Sequence, residues 1–141
     1  MRRRIEKHKQ ARPDHWRTLE TPRGVGAAIR EGMGSATMVL VDCITLLVTN
    51  ALCQESDYQN DSFDVAAIEK VMADEIDALI GVMKRSKADF VLVTNEVGLG
   101  IIPDNPMSRI YRDLLGKANQ TLASACDRVY LMVSGLPIKI K

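Results

Sequence analysis

A wound, mostly parallel α/β sheet is the fold class this sequence predicts, on three observations. Two short apolar runs, Thr37-Met-Val-Leu-Val-Asp42 and Ala88-Asp-Phe-Val-Leu-Val-Thr94, have the length of strands buried on both faces. Between them, Val65, Ile68, Met72, Ile76, Leu79 and Met83 recur three or four apart, the period of one helix face, with Glu69, Asp74, Asp77 and Lys84 off that stripe. Strands separated by helices of that length must cross over, which gives parallel pairing of right-handed connection.

The elements follow in order. Residues 2–10 read as the polar end of a helix stopped before Pro13, because the residue preceding a proline is pushed out of the helical region. Trp16 to Thr21 reads as a short strand, and Gly24 to Arg30 as a short helix closed by Gly32 and Gly34. After the strand at 37–42 comes an apolar helix, Ile44 to Leu52, then a polar, aperiodic loop from Gln54 to Ser62. The striped helix is expected to be capped near Asp61 or Ser62. Asn105-Pro106 sets a capping side chain before a proline at the first helical position, and Ile110, Leu114, Ala118 and Leu122 continue that helix. Arg128 to Ser134 is a further strand, with a short one at Ile138 to Ile140 after Gly135.

Composition narrows the class. The 141 residues make one domain, 1–141, long enough to bury roughly 70% of the unfolded surface without staples. Cys43, Cys53 and Cys126 form no CxxC pair and lie in apolar stretches, which fits a reducing, cytoplasmic setting. No apolar run approaches the ~18 residues of a membrane span, and Met1-Arg2-Arg3-Arg4 is followed by Ile5-Glu6-Lys7-His8 rather than a signal peptide's apolar core. Charge is uneven: residues 1–30 hold nine Lys/Arg against Glu6, Asp14 and Glu20, net +6, and the remainder carries −5. Such a head is either a solvated face or a phosphate-holding surface. Nucleic acid is the weakest partner for it, since the basic residues are not interleaved with aromatics.

In wound sheets, ligands bind beyond the carboxyl ends of the strands, which points to Asp42, to Thr94-Asn95-Glu96 and to Ser134-Gly135. Three stretches in order then carry a resemblance. They are Arg4-Ile-Glu-Lys-His8-Lys-Gln-Ala-Arg12-Pro13-Asp-His-Trp16, Val39-Leu-Val-Asp42-Cys-Ile-Thr45 with Val48-Thr49-Asn50, and Val91-Leu-Val-Thr94-Asn95-Glu96-Val97-Gly98-Leu-Gly100-Ile-Ile-Pro103. Val133-Ser134-Gly135 through Lys139-Ile-Lys141 adds a fourth. Together they resemble the adenosylcobinamide kinase / adenosylcobinamide-phosphate guanylyltransferase family over nearly the full length. The resemblance implies a fold similar to P-loop (RecA-like) NTPases and a homotrimer. It implies ATP or GTP as phosphoryl donor to adenosylcobinamide, GTP as donor of GMP to the resulting phosphate, and Mg²⁺ as the ion. The family opens with a strand and a GxxxxGK[ST] phosphate loop, which nothing here matches: Gly116-Lys117 is followed by Ala118. The expectation is an enzyme whose first strand and loop are missing from this chain, with a truncated, non-catalytic relative as the alternative.

By the same resemblance His8 is the residue that accepts GMP, and Lys9, Gln10, Ala11, Arg12, Glu20 and Asp42 bind nucleotide. An imidazole nitrogen can attack the α-phosphorus of GTP, and Lys7, Lys9 and Arg12 beside it oppose ring protonation and offer cations to phosphate. The plainer reading of His8 is an exposed histidine on a basic helix. Glu20 can accept from N1–H and the amino group of guanine, or is a surface glutamate. Asp42 ends a strand as a Mg²⁺-holding Walker B acid does, a place compatible with capping the next helix. His15 is taken as structural, and Trp16 either stacks on a ring or packs. Gly98 and Gly100 permit close backbone approach or shape a turn, and Arg109 and Arg112 are taken as solvated.

Overall fold

The computed structural model describes residues 12–54, 56–57 and 62–141, so the helix expected over residues 2–10 lies outside the described residues. The elements are α1 (Val25–Gly32), β1 (Met38–Asp42), α2 (Ile44–Gln54), β2 (Ser56–Asp57), β3 (Ser62–Phe63), α3 (Val65–Arg85), β4 (Asp89–Val93), α4 (Pro106–Ala125), β5 (Tyr130–Val133) and β6 (Leu136–Lys139). β1 and β4 pair in parallel, from Met38 opposite Asp89 to Asp42 opposite Val93, so the expected crossover is present. β2 with β3 and β5 with β6 are antiparallel hairpins, so one of three ladders, not most of the sheet, is parallel. The chain is an α/β protein with a parallel pair and helices.

Helix ends follow the local sequence. Asp64 caps α3, accepting from Ala67 N–H at 3.0 Å; it stands two residues beyond the expected cap because Ser62 and Phe63 are drawn into the β2–β3 hairpin instead. Asn105 caps α4 as expected, accepting from Ser108 N–H at 2.8 Å, with Pro106 at the first helical position. At the far end of α4, Lys141 donates to the carbonyls of Ala123, Ser124 and Cys126, which lack helical partners. Gly116 and Lys117 lie inside α4, and Lys117 pairs with Glu69 across to α3.

The core is a helical layer against one face of the parallel pair. Ile68, Met72, Ile76 and Leu79 of the predicted stripe are buried, meeting Ile44, Val48, Leu114 and Leu115 from α2 and α4. Val39, Val41, Phe90 and Leu92 pack onto this cluster from the sheet. The opposite face is bare: Met38, Leu40, Val91 and Val93 are exposed, so the expectation of strands buried on both faces is corrected. Alternation gives the reason. Only every second side chain faces the helices, and no described residue covers the others.

α1 is seated by an unusual cap. Its N-cap, Gly24, sits at φ 67 and has no side chain to offer, so the first N–H groups need an acceptor from elsewhere. Glu75 of α3, itself buried, supplies it, accepting from Gly24 N–H at 2.6 Å and Val25 N–H at 3.3 Å, with Arg23 at 3.9 Å. The helices then touch backbone to backbone: a Cβ on Gly26 would stand 2.7 Å from the Ala78 carbonyl carbon.

Three substitutions at two positions test this seat. Glu75→Ala leaves the part-buried Gly24 and Val25 N–H groups without this acceptor and is expected to cost about 1 kcal/mol, with Glu75→Gln costing less because one amide oxygen remains. Gly26→Ala is expected to cost about 1–3 kcal/mol through overpacking. Urea unfolding of each variant measures both, and a Gly26→Ala protein as stable as the parent would contradict the close approach.

Candidate functional site

The segment between Arg12 and Arg23 carries two of the predicted site residues. Trp16 N–H donates to Pro13 O at 2.9 Å, closing a turn, and Arg12 Nη1 donates to Thr18 Oγ1 at 2.8 Å across it. The expected strand Trp16–Thr21 is not formed, because no described strand edge lies beside it and side chains hold it instead. Arg17 donates to Met33 O beyond the end of α1, Leu19 lies over Gly32, and Asn50 of α2 donates to Pro22 O at 3.0 Å. The result is a polar cleft of about 320 Å³ lined by Arg12, Pro13, Asp14, Trp16, Thr18 and Glu20.

Arg12 and Glu20 therefore face one space, a guanidinium and a carboxylate on walls of the same cleft, which is large enough for a small ligand. His8, Lys9, Gln10 and Ala11, which precede Arg12 directly in sequence, lie outside the described residues.

The second cluster stands at the carboxyl ends of the parallel pair. Asp42 and Val93 are register partners, so the Asp42 carboxylate and the Thr94-Asn95-Glu96 segment share one edge, as the strand reading expected. Asp42 is exposed and accepts no hydrogen bond from the described residues; the capping role considered for it is not formed. α2 starts on Cys43 O, which accepts from Leu46 and Leu47.

A side-chain network positions the neighbouring loop. Thr45 Oγ1 accepts from Asn95 N–H at 3.0 Å, Asn119 Nδ2 donates to Asn95 O at 3.1 Å, and Thr94 Oγ1 donates to Asn119 Oδ1 at 2.7 Å. Asn95 thus has both backbone groups held by side chains from α2 and α4. Glu96 folds back to accept from Gly98 N–H at 2.6 Å, so in this arrangement it shapes the turn. Ser134 and Gly135 are the two-residue turn between β5 and β6, both at positive φ, rather than the end of a strand in the parallel sheet.

Arg109 and Arg112, read as solvated, are half-exposed and each has a partner on the chain. Arg109 Nη1 donates to Pro103 O at 3.0 Å and Asp104 O at 2.6 Å, and Arg112 pairs with Asp113. Among the described residues no group of three or more His, Cys, Asp or Glu gathers to hold a metal, and no helix is long and apolar enough to cross a membrane. No disulfide joins Cys43, Cys53 and Cys126, and burial pushes the Cys126 thiol up, which disfavours its thiolate.

The sequence does not single out Thr18, Thr45 or Asn119 as site residues, although Thr45 closes the Val39–Thr45 stretch. Asn119 had a signal: it follows Ala118 within the α4 stripe, beside a core position where an amide needs a partner. Thr45 had none beyond its place three residues after Asp42.

Asp42 fits a Mg²⁺ ion of the kind held by one protein carboxylate, with phosphate oxygens and waters completing the sphere. It is an exposed carboxylate at a strand's carboxyl end, not engaged by the described chain.

The comparisons agree with the motifs. A family model described as cobinamide kinase / cobinamide phosphate guanyltransferase matches residues 1–140. The bifunctional adenosylcobalamin biosynthesis protein CobU of Salmonella typhimurium is 46% identical over 141 residues, covering 98% of this chain and 77% of that protein. The Escherichia coli protein of the same name is 43% identical over 139 residues, with the same coverage. Bifunctional adenosylcobalamin biosynthesis protein CobP of Pseudomonas aeruginosa is 37% identical over 141 residues, covering all of this chain and 75% of that protein.

The loop network yields a test. Thr45→Val removes the acceptor of the Asn95 amide, and hydrogen exchange at Asn95 is expected to accelerate by roughly tenfold, for a loss of about 1 kcal/mol, while the α3 core amides keep their protection.

Proposed function

The chain belongs to the cobinamide kinase / cobinamide phosphate guanyltransferase family, and on that premise we propose that it serves cobalamin biosynthesis as an adenosylcobinamide kinase and adenosylcobinamide-phosphate guanylyltransferase. The observation that carries the reading is the cleft holding Arg12 and Glu20, reached directly after the Arg4-Ile-x-x-His8 motif. A guanidinium for phosphate and a carboxylate for the guanine edge stand there on one wall system.

In this reading the His8 imidazole nitrogen attacks the α-phosphorus of GTP. The N–P bond forms as the bond to the bridging oxygen breaks, and pyrophosphate leaves with that electron pair. Lys7, Lys9 and Arg12, close in sequence, offer cations to the charge that grows on the phosphate oxygens. A phosphate oxygen of adenosylcobinamide phosphate then attacks the same phosphorus, freeing His8 and giving adenosyl-GDP-cobinamide. Glu20 accepts from the guanine N1–H and amino group, a pair that adenine lacks.

Asp42 would hold Mg²⁺ beside the phosphates; when bound, the ion neutralises charge on the oxygens of GTP or ATP during transfer. The kinase step, from ATP or GTP to the adenosylcobinamide hydroxyl, uses the same edge at Asp42, with the Thr94–Asn95 loop fixed next to it by Thr45 and Asn119. The assembly proposed is a trimer of identical chains.

Two experiments address this reading. Intact-mass measurement after incubation with GTP and Mg²⁺ is expected to show one acid-labile GMP per chain, absent in His8→Ala; an adduct that persists in that variant would remove His8 from the mechanism. Asp42→Asn is expected to lose Mg²⁺-dependent nucleotide binding while melting within a few degrees of the parent, since its carboxylate supports no described contact. Unfolding of Asp42→Asn at ordinary temperature would show the carboxylate to be structural.

A further inference from the structure

The nucleotide reading leaves the chain's single tryptophan without a task. Trp16 is 49% exposed, although large aromatic side chains gain most by burial, and it takes no part in the aliphatic core. It stands on the wall of the cleft that also holds Arg12, Thr18 and Glu20. Its main chain is held by the bond from its own N–H to Pro13 O, and the Arg12–Thr18 bond spans the same turn. The ring is therefore presented from a fixed loop.

The chemistry of the three walls is complementary to the three parts of a purine nucleotide. A guanidinium suits phosphate oxygens, a carboxylate suits the hydrogen-bonding edge of guanine, and an exposed aromatic face suits the flat surface of the base. We propose that Trp16 stacks on the purine ring of the nucleotide bound between Arg12 and Glu20, an inference that rests on the nucleotide reading of this cleft. Stacking is indifferent to which purine is present, because every base has a π-face. Trp16 thus supplies affinity, and Glu20 supplies the choice of guanine over adenine.

Because Trp16 is the only tryptophan, its fluorescence reports this wall alone. Titration of the protein with GMP is expected to quench that fluorescence to saturation, at the dissociation constant that calorimetry gives. Trp16→Ala is expected to weaken GMP and AMP binding alike, each by about tenfold, and Trp16→Phe to stay within about threefold of the parent. Should the alanine variant melt lower, the phenylalanine variant and the parent's fluorescence decide the matter. GMP binding by calorimetry with no fluorescence change, and with an unaltered constant in Trp16→Ala, overturns the stacking and leaves the nucleotide reading intact. No GMP binding by the parent at millimolar concentration overturns both.

Discussion

The contact between α1 and α3 is what the rest of the structure hangs on. A short helix that begins at a glycine cannot cap itself, and α1 gains its acceptor from Glu75, fifty-one residues away in sequence. The carboxylate is buried, so its two bonds to N–H groups are made away from competing water. The absence of a side chain at Gly26 lets the helices approach until their backbones meet. Among the described residues, the segment before α1 leans on this seat through Arg17 and Leu19, which reach to its last turn. The cleft between Arg12 and Glu20 is thus placed by a carboxylate that does not line it.

α2 ties that cleft to the edge at Asp42. Near its start, Thr45 holds the Asn95 amide; in its penultimate turn, Asn50 holds the Pro22 carbonyl. A single rigid helix of eleven residues, buried at Ile44, Leu47, Val48, Ala51 and Leu52, therefore spans between the two clusters. Groups that would read a base and groups that would hold phosphate charge need such a fixed spacing, because misplacement of either end spoils alignment of the reacting atoms.

The parts of this arrangement written in local pattern were legible in the sequence. The α3 stripe announced its buried face, Asn105-Pro106 announced a helix start, and the apolar runs ending in Asp42 and Thr94 paired in parallel. What stayed hidden depended on partners. Trp16–Thr21 has the composition of a strand, but a strand exists only beside another edge. The apolar runs read as buried on both faces, yet burial is decided by what packs against a sheet and not by the run itself. Glu75 was readable in principle: it falls three residues after Met72 and four before Leu79, on the apolar face of α3, where a carboxylate must have found donors. The residues 8–11 that the motif singled out lie outside the described residues, so their place rests on sequence alone.

The bare face of the β1–β4 pair has a thermodynamic consequence. Met38, Leu40, Val91 and Val93 meet solvent in the folded chain, as do Met132, Leu136 and Ile138 on the hairpin. They already keep from 39% (Val93) to 69% (Leu136) of their surface in water, so unfolding hydrates less new apolar area here than it would from a covered face. The heat capacity of unfolding scales with the apolar area newly hydrated, and the denaturant slope with the total area exposed. The isolated chain should accordingly have a flatter stability curve and a shallower dependence on urea than its length implies. Covering that face would steepen both without altering a single contact inside the helical layer.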